Sequence, residues 1–378
     1  MRLRVGVLVA LFLMVVMIGA GTAAPEPIRI GWIGTLSGPA AFAGQCSRAG
    51  VLLAVDDING AGGINGRPIE VIFEDDEYTP AKAVNAMQKL VYSNNVLAVL
   101  NQGPSSVQLA TMPIAEKAGV TQFAVASSHK KVTGSGNKWV FRLNGTDNMF
   151  GGGVVDYMVN ELGLKRLAIL HLSDEFGYGA RDEYEYHLNR FGLKPVAVEV
   201  MNTGDKDVRS QLMKIRRANA DGIVCAISYH DGALVAKQAR QIGFKPRIAG
   251  LAAWSNPKLI ELGGEDSVGL LHGTPYFPMT DVPHMKEFID RITAKGFPGD
   301  VYSAQGYDGM MLIAKAMKEK GISREGIRDG LAEVRDYLGV SSPVPFSVAP
   351  NGEFVRDVFV VEVTPELAYK VVHLSSIK

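Results

Sequence analysis

The chain of 378 residues carries 39 lysines and arginines against 39 aspartates and glutamates, so it has no basic surplus with which to hold a nucleic acid. Hydrophobic residues make up 47% of it, enough for more than one packed core. With only two cysteines, Cys46 and Cys225, far apart and without any C-x-x-C or Cys/His spacing, it has neither a disulfide framework nor a metal site, and two free buried thiols are expected.

Arg2 and Arg4 open the chain, an apolar run follows from Val5 to Ile18, and small residues lead to Ala24 and Pro25. A basic start, an apolar centre too short to span a bilayer and small residues before the cut predict a signal peptide over 1–24, with no cysteine near the cut for a lipid anchor. An exported, periplasmic protein is therefore expected. Loss of the two arginines leaves 37 basic against 39 acidic residues over roughly 350 positions, a length that suits two domains.

Ile28 to Ile33 reads as a strand, Gly34 to Gly44 as a loop, and Val51, Val55 and Ile58 as one face of a helix that Asn59 to Gly66 ends. Ile69, Val71 and Phe73 form the next strand, and Thr79-Pro80 opens the next helix. Two further strands, Val96 to Leu100 and Gln122 to Val125, end in Asn101-Gln102-Gly103-Pro104-Ser105-Ser106 and Ala126-Ser127-Ser128. Small hydroxyl residues where a strand stops and a helix starts favour an anion, because the first helical N–H groups have no partner within the helix. The alternation resumes with a helix over Met149 to Leu162 and strands at Lys165 to Leu172, Val196 to Val200, Gly222 to Ile227, Arg247 to Leu251 and Leu270 to Thr274. Helical patterns fall between them, and others lie near Phe288 and over Tyr307 to Met317. Strand and helix in alternation, without hairpin signals, predict an α/β chain with two parallel sheets covered by helices on both faces. The tail differs: Pro343 to Phe346, Phe354 to Val363 and Tyr369 to Leu374 read as strands around the turn Pro350-Asn351-Gly352.

The loop Leu36-Ser37-Gly38-Pro39, the helix end Asp57 to Pro68, Asp75-Asp76 with Pro80, the string Asp174 to Gly179, and Gln238-Ala239-Arg240 with Gly243 resemble periplasmic solute-binding proteins of the branched-chain (hydrophobic) amino acid type. The resemblance runs from Ile28 to the C-terminus. It implies the type I periplasmic binding fold, in which two Rossmann-like lobes joined by a three-strand hinge close on a ligand. The lobes would be 25–145 plus 275–355, and 146–274 plus 356–378. The implied role is the binding component of an ABC importer, a monomer that needs no cofactor and delivers a small carboxylate ligand to permease and ATPase subunits.

Carried onto this chain, the family's carboxylate clamp falls on Ala126 and Ser128, with Ser127 between them. Its serine position falls on Pro104, which has no N–H, so the clamp would use Ser105, with Gly103 and Ser106 beside it. The family's acidic partner for a ligand ammonium falls on Ala252. A buried ammonium without a counter-charge is costly, by several kcal/mol, so the expected ligand is a small acid with an apolar or aromatic body and no amine. A branched-chain or aromatic amino acid is the alternative, held by Asp231, Asp174 or Glu175. Tyr178, Tyr229, Trp254 and Phe42 are the expected aromatic walls, Tyr178 foremost. His129-Lys130-Lys131 reads as a solvated loop, Asp75-Asp76-Glu77 as a solvated strand end, and His171 and His230 as structural. No G-x-S-x-G elbow, Walker or dinucleotide fingerprint supports an enzyme. A sensory module on the same fold is the rival of another class.

Overall fold

A computed structural model describes residues 25–375; the expected signal peptide lies outside the described residues. The first sheet is wholly parallel. It contains β1 (Ile28–Gly34), β2 (Ile69–Asp75), β3 (Ala98–Asn101), β4 (Thr121–Ala124) and β5 (Val140–Arg142), in the order β2-β1-β3-β4-β5. The second contains β6 (Leu167–Leu172), β7 (Val198–Met201), β8 (Gly222–Ala226), β9 (Arg247–Gly250), β10 (Leu271–Thr274), β11 (Val358–Val363) and β12 (Tyr369–Ser375), in the order β12-β11-β10-β9-β8-β6-β7. It is parallel from β10 to β7, while β11 runs antiparallel to both β10 and β12. Burial on both faces explains why β3, β6 and β8 read as continuous apolar runs rather than as alternating patterns.

Each sheet anchors its own core. Ile30, Trp32, Leu100 and Phe123 pack with Met310, Ile313 and Met317 of the helix Val301–Lys320, so a distant segment completes the first lobe. Ile169, Leu170 and Val224 pack with Phe150, Tyr184, Leu188 and Val360 in the second. The helices Ala41–Gly60 and Val301–Lys320 touch backbone to backbone at Gly50, where an added Cβ would stand 1.9 Å from the Ser303 carbonyl oxygen.

The tail departs from expectation. Pro343 to Phe346 is not a strand: Tyr337 pairs with Phe346, and Val348 with Phe354, only through isolated bridges. The Pro350-Asn351-Gly352 turn does not join a hairpin either. Gly352 accepts from Arg142 N at 2.9 Å and Phe354 N donates to Arg142 O at 3.0 Å, which pins this segment beside β5. The true hairpin turn lies between β11 and β12, where Leu367 takes a φ of 58° and Thr364 N bonds to Ala368 O at 2.8 Å.

Candidate functional site

The carboxyl ends of both parallel sheets face one cleft, the place where open α/β sheets bind ligands. On the first lobe, β1 ends beneath Thr35, whose N–H donates to Gln102 Oε1 at 3.2 Å and whose hydroxyl donates to Asp76 Oδ1 at 2.7 Å. The helix Ala41–Gly60 comes so close that a Cβ at Gly44 would stand 1.8 Å from the Thr35 carbonyl oxygen. After β3, Asn101 Oδ1 accepts Gly103 N at 2.9 Å and the helix Ser105–Ala118 begins without a side-chain cap. Its first N–H groups are thus left for another acceptor. After β4, Ser127 Oγ donates to Ser105 Oγ at 3.2 Å, and Asn144 Nδ2 holds the Ala126 carbonyl at 2.6 Å. This wall is lined by hydroxyls and amides held in short hydrogen-bonded groups, one of them backed by the carboxyl of Asp76.

The second lobe answers with apolar surface. Asp174 caps the helix Glu175–Arg190 by accepting Gly177 N at 2.8 Å, which sets Phe176 at the cavity. Ser228 and Tyr229 follow β8; Leu251, Ala252 and Ala253 follow β9. Tyr78 and Tyr302 of the first lobe line the same cavity, and burial, with Asp300, Tyr229 and Tyr78 nearby, raises the Tyr302 hydroxyl well above its ordinary value. The cavity between these walls, about 80 Å³, is partly open to solvent. Tyr229 O–H donates across it to Pro39 O at 3.0 Å, Asn256 Nδ2 to Asp300 Oδ2 at 3.3 Å, and Lys130 Nζ pairs with Glu183 at 2.9 Å, so the two lobes are closed on each other.

Of the residues expected at the site, Ser105, Ala126, Ser127, Ser128, Tyr229 and Ala252 line this cavity. Gly103 lies behind it against Val107 and Asp76, and Ser106 faces an outer groove at the mouth. Three expected walls are elsewhere. Tyr178 is 41% exposed, between the rings of His171 at 5.5 Å and the Arg181 guanidinium at 5.4 Å. Two residues beyond Phe176 on a helix is about 200° around the axis, so the two rings cannot share a face. Trp254 is buried in the hollow that Gly232 and Gly250 leave, with Nε1 donating to Ile227 O at 3.0 Å. Phe42 sits outside the cavity under the Lys258 ammonium at 5.0 Å.

The residues missed are Thr35, Tyr78, Gln102, Asn144, Phe176 and Tyr302, with Gln305, whose Nε2 supports Asn144 at 3.3 Å. Asp75 and Asp76 are not a solvated strand end. Asp76 is fully buried and its Oδ1 also accepts Tyr78 N at 2.8 Å; Asp75 Oδ1 accepts Leu36 N and Glu77 N at 2.8 and 2.9 Å. Together they hold Tyr78 in left-handed backbone, at a φ of 60°. Lys130 likewise is not simply solvated, since it bridges the lobes to Glu183.

Among the described residues, no lysine, arginine, histidine, aspartate or glutamate lines the cavity, and Asp231, Asp174 and Glu175 are not in its lining. Carboxyls nevertheless stand directly behind the wall. Burial pushes Asp147, beside the Ser128 hydroxyl, up to about 7 and Asp231, which accepts the Ser228 N–H, up to about 7. Burial also raises Asp300, at the start of the helix carrying Tyr302, to about 6, and raises Asp76 and Asp174. Both oxygens of Asp147 and one each of Asp76 and Asp231 have no hydrogen-bond partner in good geometry. Cys46 and Cys225 are free and buried.

Residues 27–367 match the family described as periplasmic binding protein. A leucine-, isoleucine-, valine-, threonine- and alanine-binding protein of Pseudomonas aeruginosa is 31% identical over 299 residues, 79% of this chain and 80% of that one. Among solved structures, a leucine-binding protein of Thermotoga maritima superposes with a TM-score of 0.85 at 26% identity, covering 92% of this chain and 98% of that one. A branched-chain amino acid transporter substrate-binding protein of Streptococcus pneumoniae, in complex with isoleucine, gives 0.82 at 26% identity over 92% and 99%.

Proposed function

The chain belongs to the periplasmic binding protein family, in its branched-chain amino acid branch, whose members bind solutes and are not enzymes, and from that premise we propose that it is the exported capture component of an ABC importer. Its ligand is a small carboxylate with a compact apolar body, handed on to permease and ATPase subunits. The supporting observation is the division of the cavity. One side offers hydroxyls, amides and free helical N–H groups from Ser105, Ala126 and Ser128; the other offers Phe176, Leu251 and Ala252. Hydrogen bonds to a charged acceptor are the strong type, about 1.5–3 kcal/mol each, and they suit the carboxylate. Apolar burial at about 25 cal/mol per Å² suits the body, and both terms are complete only when the lobes are shut.

Thermal melting with leucine, isoleucine, valine and phenylalanine beside their amine-free acid counterparts tests this reading. A ligand at 100 times its Kd stabilises the folded form by about 2.7 kcal/mol. A shift with one of these carboxylates, lost in its amide or alcohol counterpart, is expected; no shift with any carboxylate refutes the proposal.

A further inference from the structure

A second cavity lies behind the cleft, across a partition made by the loop 252–257 and the turn 299–302. Ala252 and Tyr302 line the cleft, whereas Ser255 and Asp300 line the space beyond it. In the second sheet, His272 of β10 stands opposite Val361 of β11, so both side chains lie on the face that closes this space. Tyr369 of β12 stands against the His272 ring with centroids 5.2 Å apart and lines the same cavity. The facing wall includes Ile289 and Thr293 of the helix Pro283–Ala294, whose end is tied to the helix Ala41–Gly60 by Lys295 Nζ on Asp56 at 2.8 Å.

The wall is mostly apolar and carries the aromatic residues Tyr276, Phe277 and Tyr369. Two of its residues bring a buried polar atom that has no hydrogen-bond partner among the described residues: Nδ1 of His272, a residue only 1% exposed, and Oγ of Ser255. Such atoms are costly to leave unpaired. Other polar groups of the lining are engaged within the protein. Tyr369 O–H donates to Trp254 O at 2.9 Å, Tyr276 O–H to Gly299 O at 3.0 Å, and Asp300 Oδ1 accepts Ser303 N at 2.9 Å. Burial lowers His272 to about 3, so its imidazole is neutral and has one donor and one acceptor nitrogen. Among the described residues no lysine or arginine lines the cavity while the Asp300 carboxyl does, which disfavours an anion. A cation would give up its water against a largely apolar surface. A hydroxyl both donates and accepts, so it can serve a neutral imidazole in either tautomer or a serine, and an aromatic body suits a wall that carries aromatic side chains. We infer that this second cavity binds a neutral aromatic molecule bearing one hydroxyl, of the phenol class. The occupant stands directly behind the partition that lines the cleft, and its binding does not depend on which solute the cleft takes.

Calorimetric titration of the purified protein with phenol, toluene and benzylamine tests this site. Phenol binding about three- to tenfold tighter than toluene, the worth of one hydrogen bond, is the expected result, with benzylamine weaker than phenol. Equal or tighter binding of toluene overturns the recognition of a hydroxyl, and equal or tighter binding of benzylamine overturns the neutral class in favour of a cation on Asp300. Absence of phenol binding overturns the site and leaves water as the partner of both polar atoms. Thr293 is exposed and lines this cavity but not the cleft, so Thr293→Phe obstructs the one without touching the other or the core. This variant should melt as the parent does and lose phenol affinity at least tenfold; an unchanged affinity would put phenol elsewhere and overturn the inference. His272→Leu, checked for an intact melting transition, should bring the preference for phenol over toluene towards one. A preference that persists overturns the role of His272, and Thr293→Phe decides the site should that variant fail to fold.

Discussion

The first lobe meets the cleft with hydroxyls and amides that hold one another in place, whereas the second meets it with Phe176, Leu251 and Ala252, backed by carboxyls at helix starts. The first wall is already ordered by its own hydrogen bonds and can offer a ready head-group site. The second has little to offer until closure removes water from it. On the proposed carboxylate reading, labour is divided: one lobe would take the charged head and the other would reward the fit of the body.

The acids of the second lobe give the largest test of that contrast. An unfolded aspartate ionises near about 3.9, whereas folded Asp147 holds its proton up to about 7. The native chain therefore binds more protons than the unfolded chain between those values, and Asp147 costs stability progressively as pH rises from about 4 to about 7, on the order of 4 kcal/mol in all. His230 and His272, lowered by burial to about 4 and about 3, act with the opposite sign. The informative measurement is thus urea unfolding of the protein against Asp147→Asn. The variant should gain relative stability with rising pH through that window and no further above it; a pH-independent difference would contradict the assignment.

The two glycines behind the walls come next. A Cβ at Gly44 would stand 1.8 Å from Thr35 O, and one at Gly177 would stand 2.0 Å from Leu172 O, so each lobe uses a glycine where the helix after its first strand returns onto that strand's end. Gly44→Ala and Gly177→Ala should each destabilise by about 1–3 kcal/mol in urea unfolding, the usual cost of overpacking. If only one does so, the lobes are not built alike at this junction. Ser128→Ala removes a hydroxyl but no backbone donor and should weaken carboxylate binding by about 1.5 kcal/mol, roughly tenfold, and because that hydroxyl also stands against buried Asp147 the free protein should melt lower as well. Leu251→Val, the mildest change, should cost about 1 kcal/mol or less and only for ligands with a bulky body, which calorimetry on a size series would show.

Most of this architecture could be read from the chain, because parallel strands buried on both faces advertise themselves as apolar runs such as Leu167 to Leu172. The Ser105 and Ala126–Ser128 loops were legible for a related reason: the sequence shows where a strand stops and where a helix leaves donors free. Tyr78 was not. Its place depends on a left-handed turn that buried Asp76 stabilises, and adjacent acidic residues look solvated when their partners, Thr35 and the turn's own N–H groups, are unknown. Phe176 lay inside a string already singled out, but choosing it over Tyr178 needed the helix phase. Trp254 misled because an aromatic in a Gly-rich setting can fill the glycine hollow instead of facing a ligand, as it does against Gly232 and Gly250.

The uncharged lining also bears on how a bound solute responds to salt. Between about 0.01 M and about 1 M the screening length of the solvent shrinks from about 30 Å to about 3 Å, and interactions between exposed charges fade accordingly. Here the groups that touch the solute are fixed dipoles, and the carboxyls behind them are buried, so mobile ions have nowhere to stand between them and the solute. The solute's own contacts should consequently hold steady across that range, and what salt dependence the closed complex shows should come from the Lys130–Glu183 pair between the lobes, whose lysine is exposed.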